Sequence, residues 1–225
     1  MSSLGFTPPA IYCIGLNYKK HAKESNMPEP AFPVVFTKPT SSVIGHGEPI
    51  AIPRVCVDEV DYECELGVVI GKLCKNVSED QALDYVQGYM CANDVSARFQ
   101  QLKHGGGQWC RGKGFDTFCP LGPRLVPASE IPDPNNLSIS TTVNGQVLQQ
   151  SNTKDMIFSV QQIIAFLSQS TTLLPGTVIL TGTPEGVGFA RKPQITLKPG
   201  DKVTITIEKI GELTNPVIAE PTSSL

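Results

Sequence analysis

The chain is short of charge. Asp, Glu, Lys and Arg make up 17% of its 225 residues, 18 basic against 21 acidic, for a formal charge of −3. It has no basic run and no interleaving of basic with aromatic residues, so the electrostatic footprint of a nucleic-acid binder is missing. No apolar stretch approaches the roughly 18 residues of a membrane span. Neither nucleic acid nor a membrane is an expected partner. The first residues, MSSLGFTPPAIYC, lack a charged segment followed by an apolar run and are not Arg-rich. The cytoplasm is therefore the default location, with mitochondrial import through a non-standard signal as the alternative. Cysteine is present but unpatterned: seven residues, an odd count, with no CxxC. That argues against a disulfide framework or a zinc cluster and for reduced, mostly buried thiols.

Glycine and proline are plentiful, 20 and 19 residues, and cut the chain into short segments. Strands are expected at Ile11–Leu16, Val34–Thr37, Glu63–Ile70, Thr177–Thr181 and Lys202–Ile207. In the last, Val203, Ile205 and Ile207 alternate with Thr204 and Thr206, the pattern of a half-buried strand. Ser138–Gln149 reads as a hairpin, because SISTTV and QVLQQ flank Asn144-Gly145, a type I′ turn signal. Helical signals are few. EDQALDYVQGYM after Ser78 predicts a helix over Gln81–Met90. Ser159 and Gln162 form a capping box ahead of IIAFL, and a short helix fits Tyr18–Ser25. Pro127–Pro134 reads as a surface connection. The expected class is α+β and β-rich: a mixed β-roll or barrel-like sheet with a few short helices.

VDYECELGVVIG poses a physical problem. Glu63 and Glu65 are two apart, so in a strand they share a face and repel each other beside Leu66, Val68, Val69 and Ile70. One reading is an exposed strand end where both acids are solvated. The other is a hard divalent cation, which suits carboxylate oxygens and removes the repulsion. A third ligand is then needed. Asp94 in CANDVSAR is the best candidate, and Asp61 lies on the same nominal face as Glu63. HAKE places His21 and Glu24 three apart, on one side of a helical turn, where a carboxylate can fix an imidazole's tautomer. TGTPEGVG, Thr181–Gly188, is a glycine-rich loop without the GK[ST] ending of a phosphate loop.

Taken together, IGLNYKKHAKE, FTKP, DYECELGVVIGK, ANDVSARFQQ, QWCRGKGFDTFCPLGP, VNGQVLQQ and LTGTPEGVGFAR resemble the fumarylacetoacetate hydrolase family, from Ile11 to about Val217. The resemblance implies Mg²⁺ or Mn²⁺ held by Glu63, Glu65 and Asp94, and it demotes Asp61. It implies that His21 and Glu24 activate water and that Lys113 stabilises a developing enolate. It places Arg98, Gln101, Thr183 and, less directly, Lys38 against substrate. The segment SNMPEPAFP is implied to close over bound substrate. The short, single-domain form is expected: an extension over 1–10, a catalytic domain over 11–217 and a tail over 218–225. A homodimer is implied too.

The substrate class implied is a small 2-oxoacid with a second carbonyl or carboxylate in 1,3-relation. C–C hydrolysis of acylpyruvates or decarboxylation of oxaloacetate comes first. Oxaloacetate tautomerisation or hydroxydienedioate isomerisation is the runner-up. A paralogue recruited for binding, or for a specialised biosynthetic step, is the reading from another class. Two departures bear on the choice: Phe99 stands where many relatives have Asp, and Gly114 where many have Ser.

Overall fold

The computed structural model describes residues 5–222; the ends of the expected extension and tail lie outside the described residues. Two sheets carry the fold. The larger has the order β2 (Val34–Thr37), β1 (Ile11–Gly15), β12 (Val178–Leu180), β6 (Cys64–Ile70), β7 (Val86–Asn93), β9 (Cys119–Pro127), β3 (Val43–Ile44). The smaller runs β11 (Gln146–Asn152), β10 (Ser138–Val143), β13 (Lys202–Ile207), β14 (Gly211–Ala219), β4 (Ile50–Ile52). A minimal ladder joins β5 (Val60–Asp61) to β8 (Ser96–Ala97). Pairing is mixed, with β1 and β12 parallel and β6 antiparallel to both β12 and β7. The larger sheet curls into a half barrel.

Burial explains why β6 shows no alternation. All seven of its residues are buried. Leu66, Val68 and Ile70 join the main core, while Val69, on the opposite face, packs with Cys13, Met90, Leu121 and Leu180. A strand covered on both faces reads as a continuous apolar run. In β13 the alternation is plain: Val203, Ile205 and Ile207 are buried and Thr204 and Thr206 are half-buried. The hairpin turn has the expected hand, with φ of 51° at Asn144 and 82° at Gly145.

One element differs from expectation. The segment after Ser78 forms a 3₁₀ helix over Glu79–Tyr85 and then becomes β7. No helix spans Gln81–Met90. Ala82, Leu83, Val86 and Met90 are spaced as on a helix, but β7 is a central strand with neighbours on both sides, and the ladder takes the second half of the segment. The α-helices among the described residues are α1 (Lys19–Glu24), α2 (Cys110–Lys113) and α3 (Val160–Ser168), the last opened by the Ser159/Gln162 capping box. All seven cysteines are free thiols, and all but Cys110 are buried. Among the described residues no helix is long and apolar enough to cross a membrane.

Candidate functional site

The acids meet because two neighbouring strands end together. Cys64 pairs with Asn93, and the Asp94 amide donates to the Glu63 carbonyl at 2.9 Å. Asp94 therefore lies across from Glu63, and Glu65 follows on the same face by the two-residue period. Ligand oxygens of Glu63, Glu65 and Asp94 lie within 4.8 Å of one another, and all three residues are buried. The solvated strand end is thus excluded.

Burying three carboxylates is costly unless each is compensated. Cations compensate two of them. Lys113 Nζ donates to Glu63 Oε2 at 2.6 Å and to Asp94 Oδ2 at 2.7 Å. Lys38 Nζ sits 2.5 Å from Asp94 Oδ1 and also donates to the Val95 carbonyl. Arg98 Nη1 lies 2.7 Å from Glu63 Oε1. Burial would raise the Glu63 carboxyl, but Lys113 and Arg98 outweigh it and hold the group down to about 2. Glu65 is different. It accepts the Gly182 amide at 2.7 Å and has no cation partner among the described residues. Burial first, then repulsion from Asp94 and Glu63, pushes its carboxyl well above the usual range. Three hard oxygen donors converge, and one of them is a buried acid that no cation pairs among the described residues. This donor set fits a divalent cation.

Asp61 has another task. Its Oδ2 accepts from Arg98 Nε and Nη2 at 2.9 and 2.7 Å, and its carboxylate also takes the amides of Tyr62, Gly188 and Phe189. It is the counter-ion that orients Arg98. The Phe99 departure therefore does not strand the guanidinium: Phe99 is half exposed and rests edge-on against His104. At Gly114 a Cβ would come within 2.8 Å of the Cys110 carbonyl and 2.9 Å of Pro39 Cδ, so a serine here would force a local shift. Sequence spacing had placed Asp61 beside Glu63 but gave no sign of its arginine, 37 positions away.

One cavity of about 310 Å³ brings most of the expected residues together. Its lining includes His21, Glu24, Glu63, Glu65, Asp94, Arg98, Gln101, Lys113 and Thr183. Ile14, Phe36, Leu102, Trp109, Val187 and Phe189 add an apolar wall. Lys38 is the exception: it lies behind Asp94, fully buried, and does not line the cavity.

His21 and Glu24 share a face of α1, with Nδ1 and Oε2 at 3.2 Å. A carboxylate only accepts, so Nδ1 carries a proton, and in the neutral ring Nε2 is the nitrogen with the free lone pair. Glu24 is fixed in turn by the Gly186 amide, at 3.0 and 3.1 Å from its two oxygens. The glycine-rich loop thus positions the pair, and Gly186 needs its φ of 96° to do so, with the Leu148 carbonyl crowding the space a Cβ would take. Gln101 accepts from Arg98 Nη1 at 3.1 Å.

Two buried amides escaped sequence reasoning. Asn17 donates to the carbonyls of Phe158 and Thr181 and accepts the Phe158 amide, tying the end of β1 to the loop. Gln149 joins β6 to Thr183 and Pro184. The residue types carried no signal. Both contacts span more than 30 positions of sequence.

Residues 10–218 match the family model for the C-terminal region of fumarylacetoacetate (FAA) hydrolase. The chain is 51% identical over 211 residues to "Oxaloacetate tautomerase fahd2, mitochondrial" of Xenopus laevis, covering 94% of this chain and 66% of that protein. It therefore spans about two thirds of that relative's length. The crystal structure of 2-hydroxyhepta-2,4-diene-1,7-dioate isomerase from Mycobacterium marinum is 44% identical, with a TM-score of 0.84 and coverage of 97% of this chain and 78% of that one. The fumarylacetoacetate hydrolase of Exiguobacterium antarcticum is 39% identical, with a TM-score of 0.89, covering 96% and 78% respectively. With the acids, the curled sheet and the motifs all in agreement, the chain belongs to the fumarylacetoacetate hydrolase family.

Proposed function

We propose that the chain is a divalent-metal-dependent enzyme that moves a proton between carbon and oxygen of a small 2-oxo-dicarboxylate, oxaloacetate being the first candidate. The observation that carries this reading is a single cavity with the His21–Glu24 pair, the carboxylate triad and the Lys113 ammonium on its walls. The names of the Xenopus laevis and Mycobacterium marinum relatives, at 51% and 44% identity, support proton transfer over hydrolysis or decarboxylation, so the order expected from sequence is reversed.

Glu63, Glu65 and Asp94 would hold Mg²⁺ or Mn²⁺, which supplies Lewis-acid polarisation of the 2-oxo group when bound. His21 Nε2 takes the proton from C3 of the keto form. Glu24, anchored by Gly186, steadies the imidazolium that results. Lys113, held at 2.6 Å from Glu63, places a positive charge against the oxygen that becomes negative. His21 then returns the proton to that oxygen, giving the enol with no net change in atoms. Arg98 is held by Asp61 at the cavity wall and, with Gln101 and Thr183, orients the substrate's carboxylates. Lys38 acts from behind by fixing Asp94.

Hydrolysis and decarboxylation would use the same electron sink. A metal-dependent binding protein would keep the cavity and lose the turnover. Product NMR with oxaloacetate and acetylpyruvate, with Mg²⁺ and with EDTA, tests the proposal. Faster keto–enol exchange of oxaloacetate with Mg²⁺ is expected; pyruvate as the main product would favour decarboxylation, and tight binding without turnover would favour a binding protein. The reading also takes in a homodimer, which light scattering checks, and a mitochondrial location, which the relative's name supports and fractionation checks.

A further inference from the structure

Gln149 is buried, and sequence reasoning gave it no role. It faces inward because of a register shift in the β10–β11 ladder: Thr141 pairs with Gln149 and Thr142 with Val147, leaving Leu148 unpaired. Consecutive residues Leu148 and Gln149 are both buried as a result. Its Oε1 accepts the Cys64 amide at 3.0 Å and the Thr141 hydroxyl at 2.8 Å. Its Nε2 donates to Thr183 Oγ1 and to the Pro184 carbonyl, each at 2.9 Å.

The orientation of this amide is not ambiguous. The Cys64 N–H can only donate, so it must meet the oxygen; the Pro184 carbonyl can only accept, so it must meet the nitrogen. Thr183 Oγ1 therefore receives a hydrogen bond, and its own proton has to point elsewhere. No acceptor among the described residues takes it. Thr183 lines the cavity with the triad.

We propose that Gln149 is a positioning residue that makes the Thr183 hydroxyl a committed donor to a carboxylate or enolate oxygen of the bound ligand. The same side chain holds Cys64, the residue between Glu63 and Glu65, so one amide sets both the metal-facing strand and the ligand-facing hydroxyl in register. The inference rests on the 2-oxoacid reading for the ligand's class, and its test does not need turnover.

The probe is oxalate, a two-carbon analogue of the 2-oxoacid head, titrated by calorimetry into the full chain with saturating Mg²⁺. In Gln149→Glu the carboxylate can still accept from Cys64 and Thr141, but it presents an acceptor to Thr183, which turns its proton away from the cavity. Gln149→Glu and Thr183→Val should each weaken oxalate by at least about tenfold, the worth of one hydrogen bond to a charged group. The double variant should bind no worse than the weaker single one, because both remove the same donor. Thr183→Ser should restore wild-type binding. If Gln149→Glu does not fold, Gln149→Met removes the same donor without adding charge and should weaken oxalate too. Wild-type affinity in a folded Gln149 variant would overturn the proposal, as would losses that multiply in the double variant. If oxalate behaves as predicted while oxaloacetate is not turned over, the tautomerase reading fails and the role of Gln149 stands.

Discussion

The two sheets of this molecule solve opposite problems. The five-stranded sheet has one wet face and one dry one, so β13 alternates Val-Thr-Ile-Thr-Ile and its stability comes from apolar burial. The central strands of the seven-stranded sheet, β6 and β7, are covered on both sides. At one end of these strands the sheet buries Glu63, Glu65 and Asp94 where apolar residues would be more stable. The first sheet shows what the sequence needs in order to fold. The second shows what it retains at a cost, and such retention points to chemistry.

If that contrast is right, substitutions at the acids where β6 and β7 end should remove function, and those in the smaller sheet away from Gln149 only stability. The largest effect is expected at Glu65. Glu65→Ala should lower metal-dependent turnover by about a thousandfold or more, the worth of several kcal/mol of charge stabilisation. Melting temperature without metal should hold or rise, because a buried acid with no cation partner is gone. A variant that unfolds would mean the acid is structural. Next is His21→Ala, with kcat down by about 10² to 10⁴ and a thermal midpoint close to wild type. Activity unchanged within a few-fold would remove His21 as the base.

Asp61→Ala should show how far the cost of burying charge extends. It leaves Arg98 without its main counter-ion, and urea denaturation should record a loss of about 3–5 kcal/mol. A loss under 1 kcal/mol would mean that Glu63 alone satisfies the guanidinium.

The pH dependence separates the acids further. The Glu65 pKa is raised in the folded state above its ordinary 4.5, so its contribution favours folding below about 4.5 and is lost as pH rises through the folded value. Mg²⁺ should offset that loss, so the stabilisation it gives should grow with pH. Glu63, held down to about 2, contributes above about 4.5, and that stability disappears as pH falls toward 2. Stabilisation by Mg²⁺ that is flat with pH would contradict this assignment.

The smallest effect is expected in the other sheet. Gly145→Ala, at φ 82° in the exposed hairpin, should cost about 1–2 kcal/mol and leave kcat unchanged. A change in kcat would show that this hairpin turn, and not only Gln149, reaches the site from the smaller sheet.

The same contrast explains what the sequence revealed. β13, the Asn144-Gly145 turn and the Ser159/Gln162 capping box are local, and each was legible from a few adjacent residues. β7 was not: burial on both faces erased its two-residue period, and Ala82, Leu83, Val86 and Met90 imitated a helix. In the site, the triad was legible because Glu63 and Glu65 are two apart and the family motifs supply Asp94. The clamp of Asp61 on Arg98, the place of Lys38 behind Asp94 and the inward turn of Gln149 arise from tertiary pairing and a bulge, which residue types do not encode.

The most direct measurement is Mn²⁺ binding to the wild type and to Glu65→Gln, followed by electron paramagnetic resonance. The account predicts a single tightly held ion in the wild type, released by EDTA, and a large loss of affinity in the variant. Equal binding by both proteins, or none by the wild type at millimolar Mn²⁺, would contradict it.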